Sequence, residues 1–483
     1  MKYLTIIFVM GLFLFSYCTH KATGITKEET NIHLQVNGLS STWIYLNDVY
    51  ANKISRVDSA RLDTEGNAYF KHQEKYEPGA YSIILPDSSV LEVLLDNDQV
   101  FSLKTSYPNL IQDMKVAGST ENEVLYTSLK YDVGMSAQFQ FEVQQLQANG
   151  NQELDENAVN QIRQRLFDGK DAFMAKLYAQ YPNTLFTKYQ SAQEPPKAFL
   201  NRIVADTTLD ENERTYLMLD HYWDNVDFSD TRLLRTPVIF NRLTNYFYQY
   251  SPNQTMTKLR AIDVLMNKVA NYPEYYRFFA VWIAEDYDPD KESKIDKELL
   301  YVHLVDNYLN EQRAFWADST QLYAWELRAG DKAKSLVGKQ GQNIEAKDPE
   351  GKTRALYDIE SPYVAIFFFH PECDHCQETA PKLAQVYQEW KDSGLEVYAV
   401  AMGAPEEEWK SFLTKYNMED MINVTDQDNY DMYSNYYIMG TPYIYLLNSE
   451  RTIIGKNLNV EDIPRYMYMD QQARAATSVE QVN

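Results

Sequence analysis

The stretch Phe368-Phe369-His370-Pro371-Glu372-Cys373-Asp374-His375-Cys376 marks a change of period in the chain. Before it, Tyr363 to Phe369 is an unbroken apolar run, as expected of a strand buried on both faces. After it, helical sequence runs from Cys373 to about Lys391 and stops at Gly394. The quoted residues are therefore a strand-to-helix junction that carries two cysteines. The alternation continues outward. Leu395 to Met402 reads as a strand, Pro405 to Tyr416 as a helix opened by acidic residues, and Ile422 to Thr425 as a strand. A helix around Asn429 to Tyr437 and strands at Tyr443 to Leu447 and Thr452 to Gly455 complete an α/β pattern over residues 326–472. Residues 473–483 read as a loose tail.

The placement of the cysteines dictates their chemistry. A thiol at a helix N-terminus meets partial positive charge and free N–H groups, which favour the thiolate. The thiolate is the nucleophile of thiol–disulfide exchange. Cys376 lies one helical turn beyond Cys373, on the same face, and can close a disulfide with it. Cys373 is thus the expected attacking thiol and Cys376 the buried resolving thiol. A protonated His375 would add to the stabilisation of the anion, while Glu372 and Asp374 oppose it. A structural zinc site is the competing reading of Cys-x-x-Cys, but zinc needs two further ligands. The only other cysteine is Cys18, in the leader, and His370 and His375 are too local to complete a tetrahedron. No metal and no cofactor is expected.

These residues resemble the active site of the thioredoxin superfamily, through three separated features. The first is Cys373-Asp374-His375-Cys376 at the strand–helix junction. The second is Pro381, where thioredoxin-like folds carry a helix-kinking proline. The third is Gly440-Thr441-Pro442 before the Tyr443 strand, which matches the family's cis-proline loop. The resemblance implies that Pro442 packs against the cysteine pair, and that Gly440 and Thr441 help hold an incoming disulfide peptide. Gly341 to Glu345, Asp348-Pro349-Glu350-Gly351-Lys352 and Leu356 to Ile359 resemble the leading hairpin of TlpA/ResA-like redoxins, which are exported, often membrane-tethered thiol–disulfide oxidoreductases. Three positions depart from the pattern. The family's buried acid is Phe367 here, the residue before the first cysteine is Glu372 and not Trp, and the intervening dipeptide is Asp-His. A peroxiredoxin would need a Thr three residues before its reactive cysteine, where this chain has His370.

The resemblance covers the last third of the chain. Residues 25–120 read as a β-rich domain, a small sandwich or barrel, from short alternating runs such as Ile32-Leu34-Val36 separated by turn signals. Residues 121–325 read as all-helical, with a capped start at Gly118-Ser119-Thr120 and apolar residues at helical spacing, for example Ala158, Ile162, Leu166 and Phe173. Both regions resemble uncharacterised modules that precede redoxin domains in Bacteroidetes-type proteins. The fold class is therefore multidomain α+β: a β-sandwich-like start, a helical centre and a thioredoxin-like α/β end. Asp286, Asp288 and Asp290 follow the alternation of a calcium loop, but Lys291 stands where its glycine belongs and Lys297 where its closing Glu belongs. An acidic helix-to-helix loop is the better reading.

Length and charge bound the rest. At 483 residues the chain holds several domains. Its 45 Lys and Arg against 69 Asp and Glu give a net charge of −24, which argues against a nucleic-acid partner. Its 38 tyrosines point to aromatic packing in the helices. Lys2 followed by the apolar run Leu4 to Phe15 reads as a signal segment over residues 1–24. Cys18 is a candidate lipid-attachment residue, although Tyr17 precedes it where Gly, Ala or Ser is usual; cleavage after Cys18 or near Gly24 is the other reading. The expected function is disulfide exchange with envelope proteins, with a membrane electron donor. The alternative is an envelope binding protein whose thioredoxin-like domain is an accessory.

Overall fold

The computed structural model describes residues 29–149, 155–193, 195–252, 254–290, 296–427 and 429–480. Residues 1–28, which include Cys18 and the expected signal segment, lie outside the described residues. The chain divides into two units, one of residues 1–193 with 232–240, the other of residues 194–231 with 241–483.

The first unit opens with eight strands, β1 (Thr30–Asn37), β2 (Trp43–Tyr50), β3 (Lys53–Arg61), β4 (Asn67–His72), β5 (Gly79–Ile84), β6 (Val90–Leu95), β7 (Val100–Ser106) and β8 (Lys115–Ala117). They form two four-stranded sheets, β4-β1-β7-β8 and β3-β2-β5-β6. Strict alternation fixes which face is buried. Ile32, Leu34 and Val36 of β1 are fully buried while the residues between them are not. Three helices follow, α1 (Thr120–Asn149), α2 (Glu156–Gln180) and α3 (Leu185–Ser191). The sequence reading draws a boundary at 120, but α1 to α3 group with the sheets. Side chains at the start of α1 explain why. The Asn122 amide makes both backbone hydrogen bonds of Leu94, at 2.8 and 2.9 Å, and the Glu121 carboxylate accepts the N–H groups of Leu185 and Phe186 at 2.8 Å each.

The second unit begins with helices α4 (Lys197–Ala205), α5 (Glu211–His221), α6 (Pro237–Asn245, shared with the first unit), α7 (Thr255–Lys268), α8 (Pro273–Asp286), α9 (Lys297–Tyr308) and α10 (Ser319–Ala333). Their core is aromatic: Tyr222, Trp223, Tyr246, Phe247, Tyr275 and Phe279 are almost wholly excluded from solvent. Arg242, 1% exposed, lies over the Tyr222 ring at 4.3 Å and donates to Asn225 at 3.2 Å, so its charge is held by a ring face and hydrogen bonds. Here the tyrosines of the sequence are packing material. The acidic Asp286–Asp290 loop is neutralised from α10: Arg328 binds Asp288 and Asp290, and Lys332 lies 2.9 Å from Asp290.

The remainder is a seven-stranded mixed sheet in the order β10-β9-β13-β12-β11-β14-β15. Its strands are β9 (Glu345–Lys347), β10 (Thr353–Ala355), β11 (Tyr363–Phe369), β12 (Leu395–Ala401), β13 (Ile422–Thr425), β14 (Tyr443–Leu447) and β15 (Ile453–Lys456). Helices α11 (Asp374–Trp390), α12 (Glu406–Lys415), α13 (Asp431–Tyr436) and α14 (Ile463–Glu480) surround it. Strands β11, β12 and β13 are parallel, and β14 joins β11 antiparallel. All seven residues of β11 are buried, and the period of two sorts them into separate cores. Ala365, Phe367 and Phe369 pack with Cys376, Ala380 and Leu383 of α11. Val364, Ile366 and Phe368 pack with Ile344, Met432 and Tyr445 on the other face. Gly394 sits at φ +96°, where a Cβ would come within 2.5 Å of Pro362. Of residues 473–483, expected as a loose tail, those up to Glu480 instead continue α14, and the last three lie outside the described residues. Gln, Ala and Arg in Gln471 to Ala476 are good helix formers, and Arg474 binds Asp470 one turn earlier at 2.8 Å.

Candidate active site

Strand β11 ends at Phe369, and the chain turns through His370-Pro371-Glu372 into α11. Cys373 is the N-cap of that helix, with extended backbone (φ −77°, ψ 118°), so the free N–H groups of the first turn face its sulfur. Its side chain is partly exposed, and Cys376 is fully buried. Both are free thiols. In the thiol form, Sγ of Cys373 donates to the backbone carbonyl of Thr441 at 3.2 Å. The 440–442 loop is thereby brought against the cysteine pair, and its Thr441–Pro442 peptide is cis.

The two thiols differ electrostatically. Partial burial of Cys373 works against its anion, but hydrogen bonds outweigh it: from the Cys376 thiol, the Cys376 backbone, the Thr441 side chain and the His375 backbone. The net effect holds Cys373 below the ordinary thiol range. Burial, with the neighbouring Cys373 adding to it, pushes Cys376 up to about 12. One thiol is poised as a nucleophile and the other kept protonated.

His375 contributes through its backbone. Its ring is exposed, with Nδ1 3.7 Å from Glu378. It lines a hollow beside Pro442, together with Thr379 and Lys382. On the other side of the loop, a groove of about 540 Å³ is lined by His370, Glu372, Cys373, Met439, Gly440 and Thr441 among others. The predicted residues Cys373, Gly440 and Thr441 thus share one groove, Cys376 lies beneath it, and His375 and Pro442 face the neighbouring hollow. Phe367, at the position of the family's buried acid, is wholly buried and stacked on Phe369. Pro381 lies inside α11, where it cannot donate to the preceding turn.

Sequence reasoning missed the outer wall of the groove. Asp426, 2% exposed, accepts the Gly403 N–H with both carboxylate oxygens, at 2.9 Å each, and accepts the Tyr433 hydroxyl. It ties together loops that follow β12 and β13. A signal was present: Gly403 and Asp426 each stand just past the carboxyl end of a parallel strand, where open α/β sheets bind ligands. Among the described residues, no group of three or more His, Cys, Asp or Glu is arranged to hold a metal ion.

A buried and a partly exposed thiol at the head of a helix, faced by a cis-proline loop on a mixed sheet, define a dithiol domain of the thioredoxin class. Residues 361–453 match the thioredoxin-like family, and residues 187–326 match a domain of unknown function, DUF5106. The chain is 27% identical over 155 residues to the thiol-disulfide oxidoreductase ResA of Halalkalibacterium halodurans, covering 30% of this chain and 87% of the relative. It is 24% identical over 126 residues to ResA of Bacillus cereus, covering 26% and 72%. Among solved structures, the thioredoxin domain of a thiol-disulfide oxidoreductase from Bacteroides vulgatus is 28% identical, with a TM-score of 0.26, over 28% of this chain and 96% of that one. A thioredoxin-like protein from Bacteroides caccae is 21% identical, with a TM-score of 0.42, over 54% and 94%. The C-terminal domain is thioredoxin-like, and the relatives it resembles are thiol–disulfide oxidoreductases.

Proposed function

We propose that the chain is an exported enzyme that exchanges disulfides with proteins of the cell envelope through Cys373 and Cys376. The observation that carries this is the asymmetry of the pair: an accessible thiol held toward its anion above a buried one held protonated. The thiolate of Cys373 attacks one sulfur of the client disulfide. A mixed disulfide forms, and the client's other sulfur leaves as thiolate. Cys376 gives up its proton and attacks Sγ of Cys373. The Cys373–Cys376 disulfide forms, and the client leaves as a dithiol carrying two electrons. Thr441 and Gly440 line the approach to Cys373, and Pro442 closes its side. The reverse sequence oxidises a client. With no carboxylate at position 367, the Cys376 proton passes to water or to the departing client thiolate. The apolar run Leu4 to Phe15 supports export, and Cys18 is the proposed point of lipid attachment. A membrane electron donor returns the pair to the dithiol.

Equilibration of the mature protein with redox buffers, followed by thiol alkylation, tests this reading. The expected result is a reversible Cys373–Cys376 disulfide with a potential in the span of roughly −270 to −120 mV. A value near the lower end makes the protein a reductase, and one near the upper end a disulfide donor. A pair that forms no intramolecular disulfide in any buffer overturns the proposal.

A further inference from the structure

A further cavity opens beside the active-site groove, wholly within the second unit. Its volume is about 840 Å³, and it runs between the 437–443 and 453–457 segments of the sheet domain and the helices α7, α9 and α10. Met439 lines both this cavity and the groove of Cys373. The two spaces therefore adjoin at one side chain.

The chemistry of the cleft is divided between floor and rim. The floor is ionic but internally matched. Lys332 lies 3.0 Å from Glu298 and 2.9 Å from Asp290, Lys456 binds Glu298 and donates to Ser335 at 3.1 Å, and the Lys332 ammonium sits 3.8 Å from the centre of the Tyr437 ring. Those charges answer one another, so the floor favours neither a cation nor an anion as ligand. The rim carries Asp290 and Asn457 but is bare mainly at apolar side chains: Met439 is 80% exposed, Met256 69% and Val337 44%. Methionine is flexible and polarisable, and suits surfaces that must accept varied apolar partners.

We infer that this cleft is a client subsite, which takes an apolar stretch of polypeptide flanking the client's reactive disulfide. The inference rests on the reading of Cys373 as the residue that meets that disulfide. A disulfide seated in the Cys373 groove brings its own flanking chain to Met439, and the cleft continues from there. The helical region then selects substrates: segments with exposed apolar side chains beside their cysteines, as in incompletely folded proteins, are preferred to small or polar disulfides.

The test uses the full mature chain, reduced by dithiothreitol, and two peptide disulfides. One peptide carries Phe and Leu flanking its cysteine, and the other carries Ser and Asp at those positions. Wild-type protein is expected to reduce the apolar peptide with a kcat/KM roughly tenfold higher. Met256→Asp and Val337→Asp should abolish that preference while leaving the polar peptide's rate and the pH midpoint of Cys373 alkylation unchanged. Retention of the preference in both variants overturns the assignment, as does its absence in the wild type. Variants that instead dissociate an oligomer seen in sedimentation would give the cleft to a second copy of the chain, which also overturns it. A wild-type protein inert toward both peptides defeats the dithiol reading itself, and this inference with it.

Discussion

Cys373→Ser is expected to lower disulfide exchange by at least about a thousandfold, because the hydroxyl is not ionised at neutral pH and cannot replace a thiolate nucleophile. The fold should not respond. The Cys373 side chain is only partly buried, at a helix N-cap, and serine is itself a favoured N-cap residue. The variant should therefore keep wild-type thermal unfolding while failing to reduce a protein disulfide in a turnover assay with dithiothreitol. Residual exchange at more than a few per cent of the wild-type rate would mean that Cys376 can attack alone, against its full burial.

Substitution of Cys376 separates two tasks that one side chain performs. Cys376 resolves the mixed disulfide, and its thiol is the largest of the groups that stabilise the Cys373 anion. Both Cys376→Ser and Cys376→Ala lose the resolving step. Each molecule should react once and stop, with turnover down by at least about a thousandfold and a mixed disulfide accumulating at Cys373. The two variants should differ in the first step. The serine hydroxyl can still donate to the Cys373 sulfur, and the alanine methyl cannot. In Cys376→Ala the pH midpoint for Cys373 alkylation should rise toward that of a free thiol, and in Cys376→Ser it should stay nearer the wild type. Equal midpoints in the two variants would show that the helix N-terminus alone sets the reactivity of Cys373.

Much of the C-terminal domain was legible because its signals are local. The run Tyr363 to Phe369 is apolar at every position, and it is buried at every position. Strands Ile422–Thr425 and Tyr443–Leu447 begin and end where the pattern places them. The cysteines and Gly440-Thr441-Pro442 lie more than sixty residues apart, yet each carries a motif of its own, and Cys373 and Thr441 meet at 3.2 Å. What was illegible depends on contacts that leave no local trace. Nothing in the spacing of Asn122 announces that its amide completes the backbone pairing of Leu94. Gly403 and Asp426 could be placed just past the carboxyl ends of their strands, but that they pair, and that Tyr433 joins them, could not be read. His375 read as a charged neighbour of the thiolate, but a residue at the start of α11 turns its side chain to solvent and presents its N–H to the sulfur. The acidic loop at Asp286 could be told from a calcium site, because two lysines stand where a glycine and a glutamate are needed. That Arg328 and Lys332 would neutralise it could not.

The claim that joins fold to chemistry is that one thiol of the pair is activated and the other silenced. It is tested most directly by alkylating the reduced mature protein across a pH series, with the two cysteines resolved by peptide mass. A group whose pKa is lowered reaches its anion at lower pH, so Cys373 should react with a midpoint below the free-thiol value of about 8.5. Cys376 should stay unmodified until the pH approaches its raised value of about 12. Two cysteines that titrate together near the free-thiol value, or a Cys376 that reacts before Cys373, would contradict the account.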